Sequence, residues 1–196
     1  MSRKLPLLVL ASGSKARRAM MVQAGLDFEI CPADLDEAAY RAAKPSELAL
    51  MLAQEKARVV AEAHDGALVI GSDQVLDVDG VLYDKAKDLI EAQEKLLDLR
   101  GKTHTLSSAV SVVRGEEILW SCVARARLTM RDFTKEQFDS YVKKNESALL
   151  SCVGGYEIEA AGAWLFSKIE GDVFTIMGMP LLPLLSYLQD EHGFLP

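Results

Sequence analysis

The sequence predicts an α/β protein, because segments with helical periodicity alternate with short apolar strands and few linker residues. Residues 7–11 and 67–70 are apolar at every position, which is the pattern of strands buried on both faces of a parallel sheet. Each run stops at a small polar segment, residues 12–14 after the first and residues 71–73 after the second. We therefore expect helices packed against a sheet in which these two strands are parallel neighbours.

The composition limits the kinds of partner. The chain has 196 residues, of which 49% are hydrophobic and 26% charged, enough for one domain or two closely joined lobes. A net charge of −7 argues against a nucleic acid polymer, because a phosphate backbone requires a broad basic surface. Cys31, Cys122 and Cys152 are odd in number and lack CxxC spacing, so we expect reduced, mostly buried thiols.

The start of the chain predicts neither a signal peptide nor a membrane span. Residues 1–4 lead into an apolar run, but this run is short and ends at a Ser-Gly-Ser-Lys segment. We expect a cytoplasmic protein with no membrane partner.

A small anion is the first candidate ligand. A helix is predicted to begin near Ser14 with Lys15, Arg17 and Arg18 in its first turns. Basic side chains there oppose the helix dipole at a cost of about 0.3–1 kcal/mol each, whereas a bound phosphate would reverse that balance. The alternative is a solvated helix end with incidental hydroxyls on Ser12 and Ser14. This segment alone leaves both interpretations open.

Asp73 comes shortly after the second apolar strand, where open α/β sheets place their ligand crevices. If the two apolar strands are parallel neighbours, Asp73 meets the basic helix start at one sheet edge. The alternative role of helix cap is disfavoured, because residues 74–78 and 81–83 predict a hairpin rather than a helix. Lys85 follows this hairpin and would be carried back toward the same edge.

Other charged positions are weaker signals alone. The acidic loop at residues 34–37 is either a solvated turn, which we favour from the loop alone, or a cation site of hard oxygens. Lys56 lies on a helix predicted from Pro45 to about Ala63, and most such lysines are solvated. The predicted apolar face of that helix consists of Leu48, Met51, Leu52, Val59 and Val60.

The second half of the chain predicts more helices and strands. They are a helix at 88–100, an antiparallel strand pair at 103–114 and 118–130, a helix at 134–144, a strand pair at 164–169 and 174–177, and a helix at 181–191. We expect the serines and threonines of the long pair to face solvent. The glycine-rich segment at 154–162 lacks the spacing of a dinucleotide loop or a P-loop.

Several short motifs follow one another along the chain in a specific order and spacing. They are Leu10-Ala-Ser-Gly-Ser14 with Arg17-Arg18, Asp36-Glu37, Glu55-Lys56-Ala57, Gly71-Ser72-Asp73-Gln74-Val75, Asp84-Lys85, Gly155-Tyr156 to Glu159, Ile169-Glu170-Gly171-Asp172 and Gly178-Met179-Pro180-Leu181. Over nearly its whole length the chain resembles the Maf-like nucleoside triphosphate pyrophosphatases, once described as septum-formation inhibitors. It departs from their pattern at Lys15, Ala86, Ala160, Thr175 and Met179, which bears on loop geometry and base selectivity.

The resemblance implies a fold, an activity and partners. The implied fold is two-lobed α/β with a mixed, strongly twisted sheet flanked by helices, of the Maf and inosine-triphosphatase type. Residues 1–196 would form a single domain with a central cleft between two lobes. The implied activity is hydrolysis of a nucleoside triphosphate, including modified ones, to monophosphate and pyrophosphate, with Mg²⁺ or Mn²⁺. The implied assembly is a homodimer.

The resemblance also implies residue roles, carried over onto matching positions. Catalytic roles fall on Asp73 as general base and on Lys56, Lys85 and Glu37; substrate binding falls on Ser12, Ser14, Arg17, Gln74 and Glu159; the metal would be held by Glu37 and Asp73. Gln74 stands where much of the family has Thr, and in this respect the chain looks like the branch acting on 7-methyl-GTP rather than on dTTP and UTP.

A second hypothesis comes from another class, a nucleotide-binding regulator of cell division that does not turn its ligand over. The basic cluster serves both interpretations. Asp73 favours the enzyme, since a pure binder gains nothing from a carboxylate aimed at an anion unless a metal lies between them.

Overall fold

The structure is a computed structural model that describes residues 5–195. Residues 1–4, which begin the segment predicted to be neither a signal peptide nor a membrane span, and Pro196 lie outside the described residues. The strands are β1 (Leu8–Leu10), β2 (Glu29–Ile30), β3 (Leu68–Val78), β4 (Val81–Tyr83), β5 (Thr103–Arg114), β6 (Glu117–Met130) and β7 (Phe166–Glu170). The helices are α1 (Lys15–Gln23), α2 (Pro45–Ala61), α3 (Leu89–Leu99), α4 (Lys135–Lys144), α5 (Glu146–Ser151), α6 (Val173–Ile176) and α7 (Leu181–His192). Short 3-10 helices span Glu37–Ala39 and Ala161–Leu165.

These strands form a seven-stranded sheet in the order β2-β1-β3-β5-β6-β7, with β4 paired to β3. β1 is parallel to both β2 and β3, whereas the β3–β4 and β6–β7 pairs are antiparallel. The predicted α/β class with a mixed sheet is therefore confirmed. Within the described residues, no helix combines the length and apolarity needed to cross a membrane.

The chain divides into two compact units. The first unit comprises residues 5–74, 108–124 and 178–195, and the second comprises residues 75–107 and 125–177. In the first unit, Val9 of β1 and Val69 of β3 pack with Val60 of α2 in one apolar cluster. The predicted parallel pairing of the first two apolar strands is confirmed by the register, with Leu8 opposite Leu68 and Leu10 opposite Ile70.

The prediction that β3 stops before Gly71 is wrong, because β3 continues as one strand of 11 residues. A glycine is needed at position 71 because the backbone of α2 approaches β3 closely there, and not because the chain turns. A Cβ atom at Gly71 would lie 2.0 Å from the carbonyl oxygen of Ala53 and 2.7 Å from the backbone nitrogen of Ala57, so the α2 backbone packs directly on the strand. Asp73 thus lies within a strand rather than beyond one.

Helix α2 has nearly its predicted bounds, but its buried face differs from the predicted one. Val59 is exposed, and small alanines take the central positions of the face. The buried residues are Ala49, Leu52, Ala53, Lys56, Ala57, Val60 and Ala61. Alanine at these positions permits the short distance between helix and strand, and that short distance buries Lys56 beside the strand.

Two predictions for the second half of the chain are also wrong. Ser107, Ser108 and Ser111 of β5 are buried rather than solvent-facing. The predicted strand at 174–177 is the short helix α6, because the Asp172 side chain accepts a hydrogen bond from the Thr175 backbone at 2.9 Å and caps a helical turn. Helices α1, α3, α4 and α7 and the β3–β4 hairpin lie close to their predicted positions, whereas α5 was not predicted. The three cysteines are free and half-buried.

The second unit has its own apolar core, and this core surrounds a buried histidine. His104 on β5 is 1% exposed, and its Nε2 atom lies 2.7 Å from the Tyr156 hydroxyl. Its Nδ1 atom has no hydrogen-bond partner among the described residues. Burial lowers the pKa of His104 to about 4, because the charged ring would lose its hydration.

We therefore expect an acid-labile fold. Between pH 6.5 and pH 4 the unfolded chain protonates His104 while the folded protein keeps it neutral, so its contribution to stability is fully present above pH 6.5 and is lost as the pH falls toward 4. The loss amounts to about 3 kcal/mol. Urea unfolding of the parent and of His104→Gln from pH 7 to pH 4 checks this. The variant should show the flatter pH dependence, and equal slopes would contradict the expectation.

Candidate active site

The N-terminus of α1 holds an arginine folded back over its own first turn. The Ser14 side chain caps the helix by accepting from the Arg17 backbone nitrogen at 3.4 Å. The Arg17 guanidinium donates from Nη1 to the buried Ser12 hydroxyl at 3.1 Å. Lys15 and Arg18 are exposed. Of the basic residues at this helix start, Arg17 is therefore the one bound at the end of β1.

A glycine carbonyl holds the other side of the Arg17 guanidinium. Arg17 Nε donates to the Gly178 carbonyl oxygen at 2.9 Å. The buried Ser72 hydroxyl is within hydrogen-bond distance of the same oxygen, at 3.0 Å, and of the Ala109 carbonyl oxygen at 2.8 Å. Sequence reasoning gave no role to Ser72 or Gly178, although each lies in a recognised motif. Ser72 faces the interior only because β3 does not end before it.

Lys56 joins two carboxylates in the first unit. Its Nζ atom lies 2.6 Å from Asp73 Oδ1 and 2.7 Å from Glu37 Oε1. Lys56 and Asp73 are both buried, whereas the Glu37 side chain is 54% exposed and begins a 3-10 helix. The structure thus brings together the two predicted acids and one predicted lysine, through the close packing of α2 on β3.

Electrostatics give Asp73 a proton affinity above that of an ordinary aspartate. Burial raises its pKa, and the positive charges of Lys56 and Arg17 offset only part of that effect. Burial also lowers the pKa of Arg17, against the opposing influence of Asp73 and Glu37. Arginine nevertheless stays protonated in proteins. The site therefore combines fixed positive charge with a carboxylate whose basicity is increased.

Gln74 follows Asp73 on β3 and is half-buried. Its side-chain nitrogen donates to the Ser108 hydroxyl of β5 at 3.0 Å. Because successive side chains of a strand point to opposite faces, Gln74 and Asp73 leave β3 on different faces of the sheet.

The other two predicted site residues, Lys85 and Glu159, belong to the second unit. Both are close enough to Cys152 to affect its thiol electrostatically. Burial raises the pKa of Cys152, Glu157 and Glu159 raise it further, and Lys85 lowers it. These two predicted residues are therefore neighbours of one thiol within their own unit.

The carboxylates of this site suit a cation whose coordination shell the protein fills only in part. Within residues 5–195, no group of three or more His, Cys, Asp or Glu side chains is arranged to hold a metal ion. Glu37 and Asp73 still present two carboxylate oxygens to one point, now taken by the Lys56 ammonium. Mg²⁺ is commonly bound by one or two carboxylates with substrate phosphates and water completing the shell. The residues present fit that kind of site.

A buried carboxylate beside a lysine, an arginine and a helix N-terminus is an arrangement typical of proteins that bind an anionic, phosphate-bearing ligand. The chain belongs to the Maf-like protein family, whose pattern it matches over residues 7–191. The family resemblance seen in the sequence is confirmed.

Similar proteins cover nearly the whole chain. A 7-methyl-GTP pyrophosphatase of Rhizobium meliloti (strain 1021) is 44% identical over 191 residues, 94% of this chain and 96% of its own. A nucleoside triphosphate pyrophosphatase of Paramagnetospirillum magneticum is 43% identical over 194 residues, 96% of this chain and 100% of its own. Among solved structures, a HAM1 protein from Coxiella burnetii aligns with a TM-score of 0.48 at 15% identity, over 67% of this chain and 76% of its own.

Removing the Arg17 guanidinium should weaken phosphate binding. We expect Arg17→Ala to raise the KM for nucleotide by about 10- to 150-fold, because a charge-assisted contact is worth about 1.5–3 kcal/mol. Arg18→Ala is the matched control, since Arg18 is the exposed neighbour on the same helix. Steady-state kinetics measure both. Unchanged kinetics for Arg17→Ala would remove Arg17 from the site.

Proposed function

We propose that this protein is a nucleoside triphosphate pyrophosphatase that cleaves the bond between the α and β phosphates. The observation that carries the proposal is buried Asp73, held 2.6 Å from Lys56 in a site that also contains Arg17. The pyrophosphatase names of relatives that match nearly the full chain at 43–44% identity support it.

Charge balance explains why the site needs several cations. A triphosphate brings about four negative charges, and each phosphate oxygen is best met by charge-assisted donors. Arg17 and Lys56 supply two of these charges, and the resemblance implies that Lys85 supplies a third. A divalent cation held by Glu37 and Asp73, either Mg²⁺ or Mn²⁺, would supply further positive charge to the developing oxyanion.

Asp73 is suited to accept the proton of the attacking water. The water oxygen forms a bond to phosphorus, the bridging oxygen leaves with its electron pair, and one proton passes to the Asp73 carboxylate. A general base works best when its pKa approaches the working pH, and burial moves the pKa of Asp73 in that direction. Arg17 and Lys56 orient the phosphates and stabilise the charge that builds up on them. The products are a nucleoside monophosphate and pyrophosphate.

The base preference is proposed from Gln74. Relatives of nearly equal identity carry the names 7-methyl-GTP pyrophosphatase and nucleoside triphosphate pyrophosphatase, so identity does not separate the branches. The residue after Asp73 is Gln, as in the branch that acts on 7-methyl-GTP. The hydrogen bond from Gln74 to Ser108 gives its amide a fixed partner in β5.

Replacing Gln74 should change which base is preferred. We expect Gln74→Thr to lower kcat/KM for 7-methyl-GTP relative to dTTP and UTP, because the shorter threonine side chain loses the hydrogen bond that the Gln74 amide donates to Ser108. Specificity constants for these triphosphates measure the ranking. An unchanged ranking would remove the main support for the 7-methyl-GTP branch.

We also propose the homodimer that the resemblance implies and the location and partners that the sequence predicts. The protein acts as a homodimer in the cytoplasm on a nucleotide and not on a nucleic acid polymer, in line with its net charge of −7. Ser12, Ser14 and Glu159 keep their proposed substrate-binding roles. The single domain with a central cleft stays a prediction.

A panel of nucleoside triphosphates tests the proposed function. Purified protein is incubated with each nucleotide and Mg²⁺ or Mn²⁺, and pyrophosphate and orthophosphate are assayed separately. We expect pyrophosphate from at least one nucleotide, with 7-methyl-GTP among the best. Binding of triphosphates without any release of pyrophosphate would instead favour the non-hydrolysing regulator.

A further inference from the structure

The Lys56 ammonium lies between the two carboxylates that would hold a divalent cation. It lies 2.7 Å from Glu37 Oε1 and 2.6 Å from Asp73 Oδ1, so one nitrogen takes an oxygen from each acid. Ammonium and Mg²⁺ both require carboxylate lone pairs, and they repel each other at contact distance. A cation that uses these same two oxygens therefore cannot bind while Lys56 keeps both contacts.

The surrounding structure allows Lys56 to leave this position. Lysine carries a point charge on a flexible four-carbon stem, so its ammonium can move while the α2 backbone stays fixed. The Glu37 side chain is 54% exposed and can turn with its ligand, whereas Asp73 is held in β3. A displaced ammonium in a buried site needs another anion, and the triphosphate brings one.

We propose that Lys56 is the resident counter-ion of the Glu37–Asp73 pair and that metal and nucleotide enter together by displacing its ammonium onto a phosphate oxygen. This inference rests on the proposed function, since it uses the same two acids as metal ligands. Lys56 keeps the carboxylates neutralised in the free protein and becomes a phosphate ligand in the complex. Metal binding is weak without nucleotide, because the cation must first break two charged hydrogen bonds.

Thermodynamic linkage follows from this exchange. If nucleotide removes Lys56 from the acids, it raises the affinity for metal, and metal raises the affinity for nucleotide by the same factor. Without the lysine charge, metal should bind the acids directly, and that factor should shrink.

The test measures Mn²⁺ binding by electron paramagnetic resonance, with and without a non-hydrolysable triphosphate analogue. Lys56→Met removes the charge at similar length, and Lys56→Gln is a second variant that keeps a hydrogen-bond donor beside Asp73. Arg17→Met is the matched control: Arg17 also influences Asp73 and Glu37 electrostatically, but its guanidinium donates hydrogen bonds to Ser12 and Gly178. The Arg17→Met variant therefore removes one nearby positive charge but leaves the Lys56 ammonium between Glu37 and Asp73. Circular dichroism confirms that each variant is folded.

We expect Lys56→Met and Lys56→Gln to bind Mn²⁺ without nucleotide about tenfold more tightly than the parent, and more tightly than Arg17→Met. The enhancement by the analogue should be smaller in both Lys56 variants. Equal Mn²⁺ affinity in parent and Lys56 variants, or an equal gain in Arg17→Met, would overturn the exchange while leaving the proposed function intact. Absence of Mn²⁺ binding to the parent even with the analogue would overturn the metal site itself.

Discussion

Asp73→Asn is expected to lower kcat by about a hundredfold or more, the scale of a lost general base. Asn has nearly the same size and still accepts a hydrogen bond from Lys56, so the fold should persist. It cannot take a proton from water or hold a cation strongly. Repulsion of the triphosphate falls at the same time, so nucleotide binding without metal, measured by calorimetry, should be equal or tighter.

Asp77→Asn is the control for this variant. Asp77 is a buried carboxylate on the same strand, and its Oδ1 accepts from the Gly80 backbone in the adjacent turn at 2.9 Å. Its kcat should stay within a few-fold of the parent. If Asp73→Asn also keeps kcat within a few-fold, Asp73 is not the base and Glu37 becomes the candidate.

Gly71→Ala is expected to destabilise the protein by about 3 kcal/mol or more, at the upper end of overpacking effects. The added Cβ would lie 2.0 Å from the Ala53 carbonyl oxygen, and a backbone atom cannot rotate away. Relief requires α2 to move off β3, which also moves Lys56 away from Asp73. Turnover should therefore fall in the folded fraction as well.

Denaturant unfolding of Gly71→Ala beside Gly13→Ala checks this expectation. A Cβ at Gly13 would meet only the Pro32 side chain at 3.7 Å, an ordinary contact, so that variant should lose about 1 kcal/mol or less. Equal stability of the two variants would show that close packing of α2 on β3 is not required.

The sequence predicted most helices and strands because their signals are local. Thr134 and Gln137 form a capping box at the start of the helix predicted at 134–144, and Asp79-Gly80 supplies the left-handed residues of the expected hairpin turn. The apolar runs also identified β1 and β3 as buried parallel neighbours, since both faces of such strands must be apolar.

The errors lie where tertiary contacts override local signals. A glycine in Gly71-Ser72-Asp73 suggests a turn, but this one permits α2 to contact the middle of a strand. That same approach buries Lys56, which by helical periodicity alone would be solvated. The shared carbonyl of Gly178 joins Arg17 to Ser72 across more than a hundred residues of sequence, so no local pattern could reveal it.

The most direct measurement of the central claim is a phosphorus-31 NMR time course of the preferred triphosphate with the parent protein and Mg²⁺. Cleavage between the α and β phosphates predicts nucleoside monophosphate and pyrophosphate in equal amounts, with Asp73→Asn about a hundredfold slower or more. Nucleoside diphosphate and orthophosphate as the products, or a spectrum unchanged for every nucleotide tested, would contradict it.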